Sequence, residues 1–366
     1  MSRPTVAVAG ASGLIGVAVT EAFVEMGWHV YALSRRRPEV MESEHITHVP
    51  VDLMDSTSMA VAMSDLPEVT HVVYTAVFER ADLVSGWSDS EQMHTNLAML
   101  ANVVSGLEQH GRLEHVTLMQ GTKAYGVHLH AIPVPARERH PRDEHANFYW
   151  LQEDYLREFA ARTGVAWTIL RPVHVVGPAF GVAYSTPPVI GAFAAICRNT
   201  ERPFGFPGGS HQTPKQVADV RLVARATTWA ALDERAWGEH FNVTNGEVFT
   251  WRDIWPFLAD CLDVPCQEIE PLSMADFLPA HWQDWADVTL KHRLRPHTIE
   301  EIVGKSHMYA DYTFGYGQPG TPPPALVSTV KIKQAGFTET MDTEQTFRDA
   351  ITALRKRNVL PTYGPQ

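Results

Sequence analysis

The sequence predicts an α/β fold: a doubly wound parallel sheet followed by a smaller C-terminal substrate-binding and cap region. Three observations carry that expectation. Short β-branched apolar runs alternate with helix-length segments as far as Leu170. A glycine-rich turn, Gly10-Ala11-Ser12-Gly13-Leu14-Ile15-Gly16, joins the first run to the first helix. The 366 residues are 45% apolar and 20% charged, ample for one large domain or two coupled ones. Strands alternating with helices imply parallel pairing, with helices covering both faces of the sheet.

Residues 5–9 (TVAVA) have the small, β-branched character of a buried strand, and the glycines then turn the chain into a helix over about 14–26. Strands are expected at 28–33 and 46–51, the latter ending at Asp52, and a helix at 56–66. A fourth strand at 71–76 precedes a long helix at 96–109, a fifth strand at 115–119, a helix at 148–162 and a sixth strand at 165–170. Beyond Arg171-Pro172 the pattern loosens, with helices near 189–199 and 217–232, a short strand at 241–243 and a helix near 251–262. The segment 272–316 is rich in Trp, Phe, His and Met, has weak periodicity and reads as a cap. Thr321-Pro322-Pro323-Pro324 reads as a hinge, and 343–357 as a last amphipathic helix. The expected division is a dinucleotide-binding core with the catalytic groups in 1–175, and a substrate-binding and cap region in 176–366. Segments such as 215–250 would return to the core.

A formal net charge of -12 argues against nucleic acid or an anionic membrane as a partner, since both select basic faces. Three cysteines, Cys197, Cys261 and Cys266, suggest a reducing compartment without a disulfide framework. The apolar run from Val6 to Val19 mimics a signal peptide, but the glycine pattern falls inside it and Glu21 and Glu25 continue a helix. No stretch is apolar over the eighteen or so residues that spanning a membrane takes. A cytoplasmic monomer or homodimer is expected. The histidines, among them His45, His48, His130, His140 and His145, do not combine into a ligand set, so no metal is expected.

A strand entering Gly-x-x-Gly-x-x-Gly and then a helix is a Rossmann-type arrangement. It brings a pyrophosphate against backbone N–H groups at the helix N-terminus, and the glycines permit the close approach. The loop contacts expected are Gly10, Ser12, Gly13, Leu14, Ile15 and Gly16. Where an acid would hold a ribose without a 2′-phosphate, the chain has Ser34-Arg35-Arg36-Arg37, with no acid until Glu39. Guanidiniums fit the dianionic phosphate of NADPH; the other reading is a solvated basic loop. Ser34, Arg35 and Arg36 are therefore assigned to the cofactor, with Asp52 accepting from the adenine amino group. Leu53, Thr75, Ala76, Gln120, Pro172 and Val175 complete the expected cofactor contacts.

Short-chain reductases usually place the catalytic tyrosine four residues before a lysine on one helix. No tyrosine here has that spacing. Instead Lys123 follows the fifth strand, at the carboxyl edge where such sheets bind ligands, and Tyr149 opens the next helix. A phenol stabilises the negative charge that hydride addition places on a substrate oxygen, and a nearby ammonium strengthens it. Tyr125 competes for the phenol role, and Thr122 offers a further hydroxyl.

The segments Gln120-Gly121-Thr122-Lys123-Ala124-Tyr125 and Asn147-Phe148-Tyr149-Trp150-Leu151-Gln152-Glu153-Asp154 resemble the lysine and tyrosine motifs of the progesterone 5β-reductase/iridoid synthase group of extended short-chain dehydrogenases. Residues 194–197 (AAIC) and 241–249 (FNVTNGEVF) are similar to further segments of that group. The resemblance implies that Lys123 and Tyr149 are the catalytic pair and that Arg35 and Arg36 hold the 2′-phosphate of NADPH. It also implies 1,4-addition of hydride to a small-molecule enone or enal. Val173-His174 after Arg171-Pro172, and Gly126-Val127-His128-Leu129 after Tyr125, depart from the group's pattern and bear on the substrate. Tyr125, His128, Phe180, Ile190 and Leu326 are the expected substrate contacts. Carbonyl reduction by the same pair remains a second reading, and a non-catalytic NADPH sensor a third.

Overall fold

The computed structural model describes residues 4–363 except 81–86, 88 and 268. Two compact units emerge: one takes in the residues through Val173 with Val220–Val243 and Val327–Glu339, the other His174–Asp219, Thr244–Leu326 and the residues from Thr340 onward.

Elements are numbered in chain order. In the first unit the strands are β1 (Thr5–Ala9), β2 (His29–Ser34), β3 (Ile46–Pro50), β4 (His71–Tyr74), β5 (His115–Met119), β6 (Ala166–Pro172) and β9 (Glu239–Val243). They form one parallel sheet in the order β3-β2-β1-β4-β5-β6-β9. The order reverses at β1, so the carboxyl ends of β1 and β4 flank a crevice of the kind that binds ligands in open sheets. Helices α1 (Leu14–Glu25) and α6 (Val220–Leu232) pack together, and α2 (Ser56–Ser64), α3 (Ser90–Glu108) and α4 (Phe148–Thr163) form a second layer. The inner strands are buried along their whole length, as TVAVA and HVTLM require.

Helix α3 starts at Ser90, well before the first apolar residue of its periodic run. Its opening turns are polar yet partly buried. The Asp89 carboxylate accepts from Gln92 N (2.8 Å), Asn96 Oδ1 accepts from Phe78 N (2.8 Å) and Gln92 Oε1 accepts from Arg80 N (2.9 Å). Polar side chains buried to satisfy the loop after β4 are invisible to a hydrophobic pattern.

In the second unit, β7 (His174–Val176) pairs in parallel with β8 (Val217–Asp219). The helix expected over 217–232 begins only at Val220, and residues 217–219 are strand. They are held as strand by β7, and Asp219 N donates to Asn245 Oδ1 (2.6 Å). The expected cap resolves into four short helices: α8 (Met274–Ala280), α9 (Trp282–His292), α10 (Ile299–Val303) and α11 (Ser306–Phe314). Each is too short for its period to stand out. The Asp311 carboxylate accepts from Ser273 Oγ (2.6 Å), Met274 N (2.5 Å) and Ala275 N (3.2 Å), tying α11 to the start of α8. With α5 (Thr186–Asn199), α7 (Trp251–Leu262) and α13 (Thr343–Lys356), these helices enclose an aromatic core around Trp251, Trp255, Phe206 and Phe314. Among the described residues no helix is long and apolar enough to cross a membrane.

Candidate active site

The glycine turn is built for close approach. Gly10 has φ +84°, and a Cβ there would stand 2.8 Å from Ala76 N and 2.9 Å from Thr75 Oγ1. A Cβ on Gly16 would meet Gly10 O at 2.2 Å, so only glycine lets α1 start this near the turn. Gly13 caps α1 without a side-chain hydrogen bond, which leaves first-turn N–H groups for an anion. Ser12 and Ile15 are half-buried in this turn, and Leu14 is buried. The cradle fits a dinucleotide pyrophosphate.

Around it, Arg35, Arg36 and Arg37 are exposed directly after β2, and the Ser34 hydroxyl donates to Arg36 O (2.8 Å), shaping that loop. Asp52 Oδ1 accepts from Met54 N (3.1 Å), and Leu53 O from Asn102 Nδ2 (2.9 Å). The Thr75 hydroxyl donates to Ala9 O (2.9 Å), which fastens the end of β4 to the end of β1.

The chemistry-bearing groups lie at the carboxyl end of β5. Gly121 opens a 3-10 turn, Thr122–Tyr125, which Gly126 closes at φ +74°. Asn147 links that turn to α4: its Oδ1 accepts from Tyr149 N (3.0 Å) and its Nδ2 donates to Lys123 O (3.2 Å). A Cβ on Gly121 would stand 3.3 Å from the Tyr149 hydroxyl, so the phenol reaches back over the strand end. Gln120 Nε2 donates to Tyr149 O (3.2 Å), while its Oε1 accepts from Arg171 Nε (2.9 Å). Arg171 in turn pairs with Glu153 on α4 (3.3 Å), and both are buried. The first turn of α4 is thus fixed from β5 and from β6.

Trp87 joins lysine to tyrosine. Lys123 Nζ lies 3.6 Å from the centre of the Trp87 ring, and the Tyr149 ring meets the same indole edge-on at 5.1 Å. Trp87 Nε1 donates to Glu79 Oε1 (3.0 Å), whose charge also acts on Lys123. Burial pulls the Lys123 pKa down to about 8 despite that carboxylate. Trp87, Glu79 and Asn147 have no role that the amino-acid sequence assigns on its own. Only Asn147 left a signal, as an N-cap residue type ahead of a helix.

Tyr125 is placed differently. Its ring is buried and its hydroxyl donates to Asn242 Oδ1 (2.7 Å), a strongly held acceptor on β9. Asn242 itself donates its backbone N–H to Glu138 Oε1 (2.8 Å) and its Nδ2 to Ser328 O (3.1 Å). His128 is half-buried and edge-on to both Trp87 and His145; its Nδ1 is buried without a hydrogen-bond partner. Burial, then the Lys123 charge, lowers its pKa to about 4, so it is neutral near pH 7. Pro172 ends β6 in the first unit. In the second unit Val175 lies on β7, Phe180 packs beneath Arg357 (5.1 Å to the ring centre), Ile190 is in the core and Leu326 is half-buried.

Residues 6–244 match the model of the NAD dependent epimerase/dehydratase family. An (S)-8-oxocitronellyl enol synthase from Nepeta racemosa is 30% identical over 317 residues, 81% of this chain and 79% of that protein. A 3-oxo-Delta(4,5)-steroid 5-beta-reductase from Arabidopsis thaliana is 29% identical over 314 residues, 80% of this chain and 79% of that protein. Among solved structures, the UDP-glucose 4-epimerase of Thermotoga maritima superposes with a TM-score of 0.68 at 16% identity, covering 96% of this chain and 99% of that one.

Proposed function

The chain belongs to the NAD dependent epimerase/dehydratase family, and within it to the progesterone 5β-reductase/iridoid synthase group; from that membership we propose an NADPH-dependent reductase of activated C=C bonds. It is an oxidoreductase acting on a small molecule. The supporting names describe one chemistry. A 3-oxo-Delta(4,5)-steroid is an enone whose C5 is the β-carbon, and an enol synthase yields the enol that conjugate addition to an enal leaves behind.

The observation that carries the reading is the shared seat of Lys123 and Tyr149 on Trp87, at the sheet edge, with the competing hydroxyl of Tyr125 committed to Asn242. When bound, NADPH supplies the hydride. The glycine turn takes its pyrophosphate and Arg35 and Arg36 its 2′-phosphate. Tyr149 donates a hydrogen bond to the substrate oxygen, where negative charge grows as the alkene is reduced. The Lys123 ammonium favours that charge, and Trp87 keeps the ammonium in place and water away from it. Asn147 and Gln120 hold the first turn of α4, so the phenol is ordered before the substrate arrives.

Incubation with a conjugated enone and NADPH deuterated at the transferred position tests this. The expected product is the saturated ketone with deuterium on the β-carbon. An allylic alcohol carrying deuterium on the former carbonyl carbon would overturn conjugate reduction in favour of carbonyl reduction. Cofactor choice is tested by titration. Arg35→Ala/Arg36→Ala should weaken NADPH roughly ten- to a hundredfold and leave NADH nearly unchanged. Equal affinities for the two cofactors in the unmodified protein would refute the 2′-phosphate assignment.

A further inference from the structure

The second unit holds a polar cluster for which the reduction chemistry supplies no task. Lys215 is half-buried and fixed through its backbone, donating from N to Phe249 O (2.8 Å) and accepting from Phe249 N (3.0 Å). Among the described residues no carboxylate pairs with its ammonium, and burial lowers its pKa to about 8. Its charge acts on His174, which burial keeps neutral, with a pKa of about 3.

His174 is the hub of the cluster. Its Nε2 lies 2.9 Å from Thr186 Oγ1, its ring meets Tyr309 edge-on at 5.5 Å, and Trp251 is 6.5 Å away. Tyr309 meets Tyr184 at 4.9 Å. Tyr184 is held at φ +66°, a left-handed conformation that bulky residues rarely adopt, and its buried hydroxyl has no hydrogen-bond partner. The buried Trp251 indole N–H has none either.

The orphaned groups share a sign. An ammonium and an indole N–H only donate, and a phenol donates readily. Native structures seldom leave buried donors unsatisfied unless something else supplies the acceptor. The Phe249 that pairs with the Lys215 backbone meets Trp251 edge-on at 5.3 Å, so this ammonium belongs to an aromatic neighbourhood, and without a guanidinium fork it matches a single negative charge on an apolar body better than a phosphate dianion.

We propose that Lys215 and Tyr184, bordered by His174, Tyr309 and Trp251, bind the carboxylate of a small amphipathic acid. The proposal is independent of the reductase reading. It is tested by calorimetric titration of the full chain with 4-phenylbutanoate and with its primary amide, which needs no turnover. The acid should bind the unmodified protein roughly tenfold or more tighter than the amide. Lys215→Met should abolish that preference, Lys215→Arg should keep it, and Tyr184→Phe should reduce it. If Lys215→Met fails to fold, Tyr184→Phe carries the test. Equal binding of acid and amide, a preference that survives both Lys215→Met and Tyr184→Phe, or tighter binding of inorganic phosphate would overturn the proposal.

Discussion

Two tyrosines lie near Lys123, and their hydroxyls have different surroundings. Tyr149 reaches over Gly121, whereas the Tyr125 hydroxyl donates a hydrogen bond to Asn242 Oδ1. Tyr149→Phe should therefore lower kcat by about two to three orders of magnitude with little change in cofactor affinity. Tyr125→Phe should cost about 1 kcal/mol of stability and leave kcat within a few-fold, because it removes only a structural hydrogen bond. The reverse ranking in steady-state kinetics would transfer the phenol role to Tyr125. Lys123 predicts a pH dependence. Its pKa is pulled down to about 8, so the ammonium discharges as pH rises through that value. If Lys123 has the proposed role, the positive charge that favours the developing oxyanion is then lost, and kcat should fall on the alkaline side of pH 8. Lys123→Met should be slower throughout and lack that limb of the profile.

Helix α4 is tied to the β5 edge by Gln120 and by Asn147, and Asn147 makes two of the bonds. Asn147 caps the helix through Oδ1 and holds the lysine turn through Nδ2. Asn147→Ala removes both and should cost about 1 kcal/mol in denaturant unfolding, with a loss of turnover. Asn147→Ser restores the cap but cannot donate to Lys123 O as the amide does. It should regain most of the stability while turnover stays depressed. Recovery of both together would mean that capping alone accounts for the residue. The sequence placed α4 and its tyrosine well because the apolar positions of 148–162 repeat at helical spacing. It missed the start of α3, where buried Gln92 and Asn96 serve the backbone of the preceding loop.

Across the whole molecule, buried neutral histidines set the response to acid. His71 in the sheet has its pKa lowered to about 4 and His115 beside it to about 3, both chiefly by burial. His174 in the second unit is lowered to about 3. Below the ordinary histidine pKa the unfolded chain takes up protons that the folded one refuses, so stability falls as pH drops from about 6.5 towards 4. Fully expressed, shifts from 6.5 to about 4 and to about 3 correspond to about 3–5 kcal/mol per histidine, an upper figure for groups that can relax. The urea midpoint should therefore drop markedly between pH 7 and pH 5, and His115→Gln should blunt the drop. A midpoint independent of pH over that range would show that these imidazoles protonate in place.

The sequence by itself determined the sheet. The strands of the first unit are short apolar runs, the glycines sit where backbones must nearly touch, and Lys123 and Tyr149 stand out because their spacing is unusual for a reductase. Those signals are local, carried by neighbours a few residues apart. Tertiary structure decided the rest. Residues 217–219 became strand because β7 offered a partner, and the cap became four helices because Asp311 and a shared aromatic core reward turns too short to show a period. Trp87 acquired its place only when folding set it against residues thirty-six and sixty-two positions further along, Lys123 and Tyr149. A contact between side chains so far apart in sequence leaves no local pattern, because the free energy that fixes it comes from burial that exists only in the folded chain.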